Sequence, residues 1–145
     1  MILDPAATWS LHPQLAADTL GVGDLPLSRV LISLDANYPW LILAPRRPGL
    51  VEILDLDETA RVQLMEEIAG VAGALKQVTA CDKLNIAALG NVVPQLHVHV
   101  VARRKNDPAW PAPVWGRVAP RPYDQAKLDR FVAALGKKLG LDGDC

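Results

Sequence analysis

The chain has 145 residues, half of them hydrophobic and 21% charged, with 15 basic side chains against 16 acidic ones and a formal net charge of −1. That length fits a single domain (1–145) with a core of its own, and the composition is that of a packed globular protein. The near-neutral balance argues against a protein that wraps nucleic acid or lies on an anionic membrane, so neither is expected as a partner.

Two cysteines, Cys81 and Cys145, are too few for a disulfide framework in a domain of this size. Met1-Ile2-Leu3-Asp4-Pro5 has no basic stretch leading into an apolar run, and no apolar run approaches the roughly eighteen residues of a membrane span. A cytoplasmic location is the expectation.

In chain order, Met1 to Asp24 carries Trp9, His12-Pro13 and a Gly21-Val22-Gly23-Asp24 turn signal, with Ala16-Ala17 suggesting at most a short helical turn. Leu27 to Leu34 and Trp40 to Ala44 read as strands, joined as a hairpin through the turn residues Asp35-Ala36-Asn37-Tyr38-Pro39. Pro45-Arg46-Arg47-Pro48-Gly49 stops the second of them, because proline cannot donate to the ladder. Leu56 to Thr79 is the strongest helix: Leu64, Ile68, Val71, Leu75 and Val78 recur at intervals of four and three, while Arg61, Glu66, Glu67 and Lys76 fall elsewhere on the wheel. Asp55 or Asp57 can cap it, and Asp55 with Glu58 has capping-box spacing. Gly70 and Gly73 weaken a helix, and close approach of the helix to a sheet is the expected compensation.

Lys83 to Leu89 is a further strand candidate, followed by a Gly90-Asn91 turn and by Gln95-Leu96-His97-Val98-His99-Val100-Val101. Polar and apolar residues alternate there, so Gln95, His97 and His99 are expected on one face of a strand and Leu96, Val98 and Val100 on the other. The short connection makes this last pair antiparallel. Lys105 to Pro122 is a proline-rich loop with Trp110 and Trp115. Tyr123 to Leu139 has a helical stripe of Leu128, Phe131, Val132, Leu135 and Leu139, with Gly140 as its stop.

The paired histidines admit three readings. They can be ordinary sheet residues. They can be metal ligands, for which His12 or Asp35 would have to complete the set; no cofactor or metal is expected, because His12 lies in a region without ligand spacing. Or one imidazole can attack phosphorus while the other donates to a phosphoryl oxygen, splitting one hard displacement into two easier ones.

The stretch from Gly90 to Val101 resembles the signature of the histidine triad superfamily, His-φ-His-φ-His-φ-φ with φ apolar, with Gln95 in place of the first histidine. Asp35 and the Trp40 to Arg46 stretch are similar to the family's ribose-binding acid and the strand after it, and Trp110-Pro111 resembles a Trp-Pro pair that follows the triad in some members. The resemblance covers about 27–116. It implies an α+β fold: a mostly antiparallel five-stranded sheet, one long helix after the second long strand and a C-terminal helix at about 123–139.

It further implies that His97 attacks the α-phosphate and forms a nucleotidyl-histidine intermediate, that His99 contacts the phosphate, and that Gln95 helps to orient the nucleophile. Asp35 would take the ribose hydroxyls, Asn85 would reach the phosphate region, and Asn91 would fall in the stretch that contacts the leaving group. Val92 falls where the family carries a hydroxyl and has none. Arg46, Arg47, Arg103 and Arg104 are candidate phosphate partners. The activity implied is cleavage of a nucleoside phosphoanhydride or phosphoramide by a homodimer; the alternatives are a nucleotidylyltransferase and a nucleotide-binding module without turnover.

Overall fold

The computed structural model of the protein describes residues 9–141, so Met1–Pro5 and Cys145 lie outside the described residues. Five strands, β1 (Thr19–Asp24), β2 (Ser28–Ser33), β3 (Trp40–Pro45), β4 (Lys83–Ala87) and β5 (Val98–Arg103), form one sheet in the order β1-β2-β3-β5-β4. Every pairing in it is antiparallel. The period of two on these strands makes two different faces. On one, Val30, Ile32, Leu41, Leu43, Val98 and Val100 join Leu64, Ile68, Val71 and Leu75 of α2 (Glu58–Thr79) and Leu128 and Leu135 of α3 (Gln125–Leu139) in the main core.

The other face is covered at both ends. Leu31, Ile42 and Ala44 pack under Trp9 and Leu11 of the N-terminal segment. Val101 packs with Tyr38, Ala109 and Val114, the last two from the loop after β5. Trp40 touches both groups.

The structure sharpens some local expectations and changes others. Gly21 to Asp24 is not a turn but part of β1, which pairs with β2 through an irregularity between Gly21 and Gly23. Glycine is depleted in strands, and here the bulge accommodates it. Ala16-Ala17 belongs to the short helix α1 (Pro13–Asp18), capped by the His12 ring, which accepts from Gln14 N at 3.0 Å.

The cap of α2 is Asp57, whose carboxylate accepts from Ala60 N at 2.8 Å. Asp55 instead closes a single 3-10 turn, Ile53–Asp55, and accepts from the amides of Val51 and Glu52. Gly70 and Gly73 do not meet the sheet: both are exposed, and an added Cβ would find nothing within 4 Å at either.

Glu67 is not on the solvent face of α2. It is 5% exposed and accepts from Leu27 N and Ser28 N, each at 2.8 Å, and from Gln63 Nε2 at 2.9 Å. A buried carboxylate thus ties the start of β2 to the middle of the long helix, its desolvation offset by charge-assisted bonds. Asp124 caps α3 and Gly140, at φ 68°, closes it. Among the described residues, no helix is long and apolar enough to cross a membrane.

Candidate active site

Between the N-terminal segment and the loop after β5, the sheet opens on a cavity of about 620 Å³. His97 and His99 lie at its floor, each 6% exposed, with ring centroids 4.9 Å apart and planes at 69°. His99 is on β5 opposite Ile42, and His97 is one residue ahead of that strand. Two positions apart in extended chain, the rings share a face as the alternation requires.

Hydrogen bonding sets the proton position on each ring. His97 Nδ1 is 2.6 Å from the main-chain oxygen of Gln95. A carbonyl oxygen only accepts, so Nδ1 carries the proton and Nε2 keeps its lone pair. The indole Nε1 of Trp40 donates to His99 Nδ1 at 2.9 Å. An indole nitrogen only donates, so the neutral ring of His99 carries its proton on Nε2. Burial and, after it, the neighbouring His97 push the His99 pKa down to about 4. That ring is therefore neutral at physiological pH. Neither Nε2 has a hydrogen-bond partner among the described residues and neither is a sealed, unpartnered atom. The pair offers the cavity one lone pair and one N–H, side by side.

Trp115 stands edge-on to both His99 and Trp40, with centroids at 5.1 Å and 5.7 Å. Leu15, Leu34, Ile42, Leu89, Val92 and Val93 give the walls an apolar character. Asp35 is at the rim. All the hydrogen bonds to its carboxylate among the described residues fall on Oδ1, from Asn37 N at 3.0 Å, Asn37 Nδ2 at 2.8 Å and Arg121 N at 3.1 Å. Its other oxygen is left to accept from a ligand. Asn91 and Val92 also line the cavity.

Two of the expected site residues are placed elsewhere. Asn85 does not line the cavity; its Oδ1 accepts from Arg103 Nη1 at 2.8 Å. Gln95 precedes the ladder of β5, and its amide turns to the N-terminal segment, accepting from His12 N and donating to Ser10 O, both at 2.8 Å. It touches His97 through its main chain. None of Arg46, Arg47, Arg103 and Arg104 lines the cavity. Arg103 is 1% exposed and forms an ion pair with Asp107 at 2.7 Å. Arg46 donates to the carbonyls of Leu25 and Pro26, and Arg104 to that of Thr79.

Among the described residues, no three His, Cys, Asp or Glu side chains converge as metal ligands would. Trp110 lies by Arg103, the guanidinium carbon 5.6 Å from its ring centroid. The residue that sequence reasoning missed is Trp40, read only as the start of a strand. The available signal was a single indole at the mouth of an otherwise aliphatic strand.

An α+β sheet with two imidazoles fixed in complementary tautomers over an apolar cavity defines a narrow class of protein. The model of the HIT domain matches residues 14–106. A solved histidine triad protein from Bradyrhizobium japonicum is 60% identical, with a TM-score of 0.90 over 90% of this chain and 98% of its own. Histidine triad proteins from Sinorhizobium meliloti (40% identity, TM-score 0.90, 92% and 99% covered) and Marinobacter aquaeolei (41%, 0.88, 91% and 96%) are similar as well. No curated protein matches the chain at a significant level. The chain belongs to the HIT domain family.

Proposed function

We propose that the protein binds a nucleoside phosphate and cleaves it through a covalent nucleotidyl-histidine intermediate. The observation that carries this reading is the tautomer pair: His97 presents a lone pair where His99 presents an N–H. In the first step the His97 Nε2 lone pair forms the N–P bond as the bond to the leaving group breaks, and the leaving group departs with the bonding pair, an amine taking up a proton from solvent as it leaves. His99 Nε2–H donates to a phosphoryl oxygen as negative charge builds on it. Water then attacks phosphorus, His97 recovers its lone pair, and a proton is released with the nucleoside monophosphate. Asp35 Oδ2 accepts from the ribose diol, a role that suits a group with acceptors only.

Charge narrows the substrate. The side chains lining the cavity include Asp18 and Asp35, and none of the lining residues is a lysine or arginine. A chain of several phosphates would bring uncompensated negative charge into an apolar site. A nucleoside carrying one phosphoryl group with an amine leaving group, a phosphoramide, fits better than a phosphoanhydride bridge.

Family membership supports a homodimer in a cytoplasmic setting. The outer edge of β4, the last strand of the sheet, offers the place for a second copy, and Ile86 on it is 50% exposed.

The test is to incubate the protein with radiolabelled adenylated and guanylated compounds. Acid-labile label on the wild-type chain and none on His97→Ala is the expected result; turnover without label on the chain would remove the covalent step. Products formed with and without a sugar phosphate acceptor separate hydrolysis from nucleotidyl transfer.

A further inference from the structure

One wall of the cavity is held by a contact that the chemistry above does not use. Gln14, Leu15, Ala17 and Asp18, all from α1, line the cavity together with Thr19 at the start of β1. A helix of six residues has no stability of its own. At its C-terminal end it is fastened to the sheet, by Thr19 Oγ1 donating to Leu15 O at 2.6 Å and Leu34 N donating to Asp18 O at 3.0 Å. On the N-terminal side, among the described residues, the long-range hydrogen bonds come from a single side chain. Gln95, more than 80 positions away in sequence, accepts from His12 N and donates to Ser10 O.

An extended segment presents the carbonyl of one residue and the N–H of the residue two further on from the same edge. A primary amide, with its donor and acceptor side by side, pairs with both as a neighbouring strand would. Glutamate could only accept there, lysine could only donate, and the two nitrogens of an imidazole diverge. The main-chain oxygen of this same residue accepts from His97 Nδ1.

We propose that Gln95 is a positioning residue: its main chain orients the nucleophile while its side chain clamps the Ser10–Asp18 wall over the nucleoside. The inference rests on the nucleotide-binding reading for what lies under the wall. Its first consequence, the clamp itself, is independent of that reading. Loss of the amide frees the wall and weakens the hold on the nucleoside; the backbone bond to His97 remains, so the chemical step is preserved.

The experiment compares the full-length wild type with Gln95→Met, which keeps the length of the side chain and removes both bonds. Three readouts are taken: hydrogen exchange of the amides from 10 to 18, AMP affinity by calorimetry, and steady-state hydrolysis of adenosine 5′-phosphoramidate. The expected result is exchange about tenfold faster in that segment, AMP affinity and KM each about tenfold weaker, and kcat within about threefold. A residue needed only for folding would not split KM from kcat in this way. Unchanged exchange, or a fall in kcat at constant KM, overturns the proposal.

If Gln95→Met does not fold, His12→Pro removes the partner N–H at a residue whose φ of −53° already suits proline, with His12→Ala as the control for the lost cap. The same shifts relative to His12→Ala are expected, and their absence overturns the clamp. A wild type that neither binds AMP nor turns over would refute the functional reading, and the exchange rates would then decide the clamp alone.

Discussion

Trp40 and His99 are joined by an indole N–H that points at His99 Nδ1, at 2.9 Å. Because tryptophan cannot accept, this one bond decides which nitrogen of His99 carries the proton and so, in the proposed reaction, which group would meet the phosphoryl oxygen. Trp40→Phe keeps the aromatic packing and removes the donor. Its kcat is expected to fall by about ten- to a hundredfold, the cost of a misplaced donor to developing charge, while AMP affinity changes by less than about threefold. Steady-state kinetics with calorimetry check both; an unchanged kcat would take the tautomer out of the mechanism.

His97→Ala removes the lone pair that would form the N–P bond in the proposed reaction. Turnover is expected to be lost while nucleotide binding stays within about tenfold, since a nucleophile matters chiefly in the transition state. Gln95→His, which keeps the main-chain carbonyl that accepts from His97, is expected to change the rate by far less. Equal losses from the two variants would contradict the roles assigned.

Acid should weaken the fold through His99. Its folded-state pKa is held down to about 4 against 6.5 for the free side chain. Between those values the unfolded chain binds the extra proton, so stability contributed by this ring is complete above about pH 6.5 and is lost as pH falls toward 4. The whole effect is on the order of 3 kcal/mol, from 1.36 kcal/mol per pKa unit. Asp24 and Asp107, whose carboxyls are also held below their usual range, act at lower pH in the same direction. Denaturant unfolding at pH 7 and pH 4.5 should show the decline in the wild type and a shallower one in His99→Gln.

Glu67 is another buried group held by defined partners. Glu67→Ala strands the amides of Leu27 and Ser28 in the interior, and a loss of about 2–4 kcal/mol is expected from two unmet donors. Glu67→Gln, with one oxygen for two N–H groups, should lose roughly half as much. Urea midpoints measure both.

What could be read along the chain was whatever repeats locally. The stripe of Leu64, Ile68, Val71 and Leu75 and the alternation around His97 and His99 each state a period, and both faces are where that period puts them. β1 was hidden because Gly21 and Gly23 have the composition of a turn; only pairing with β2 makes them a strand. The partners of Gln95, Asn85 and Glu67 are not legible for a related reason. Each is engaged by a group far away in sequence, at Ser10 and His12, at Arg103, and at Leu27 and Ser28, and spacing carries no trace of such partners. Trp40 is the instructive case, since its place in the strand was foreseen and its hydrogen bond was not.

Arg103 makes the two jaws of the cavity unequal. Its guanidinium is gripped by Asp107, Asn85 and the carbonyl of Ala112, and it faces the rings of Tyr38 and Trp110, so the segment leading to Trp115 is bolted to β5. The opposite jaw, α1, is joined to the sheet at its C-terminal end through Thr19 and Leu34 and on its N-terminal side through the neutral amide of Gln95. On the proposed reading, the α1 side would yield to an entering ligand before the Trp115 side, whose indole stands against His99.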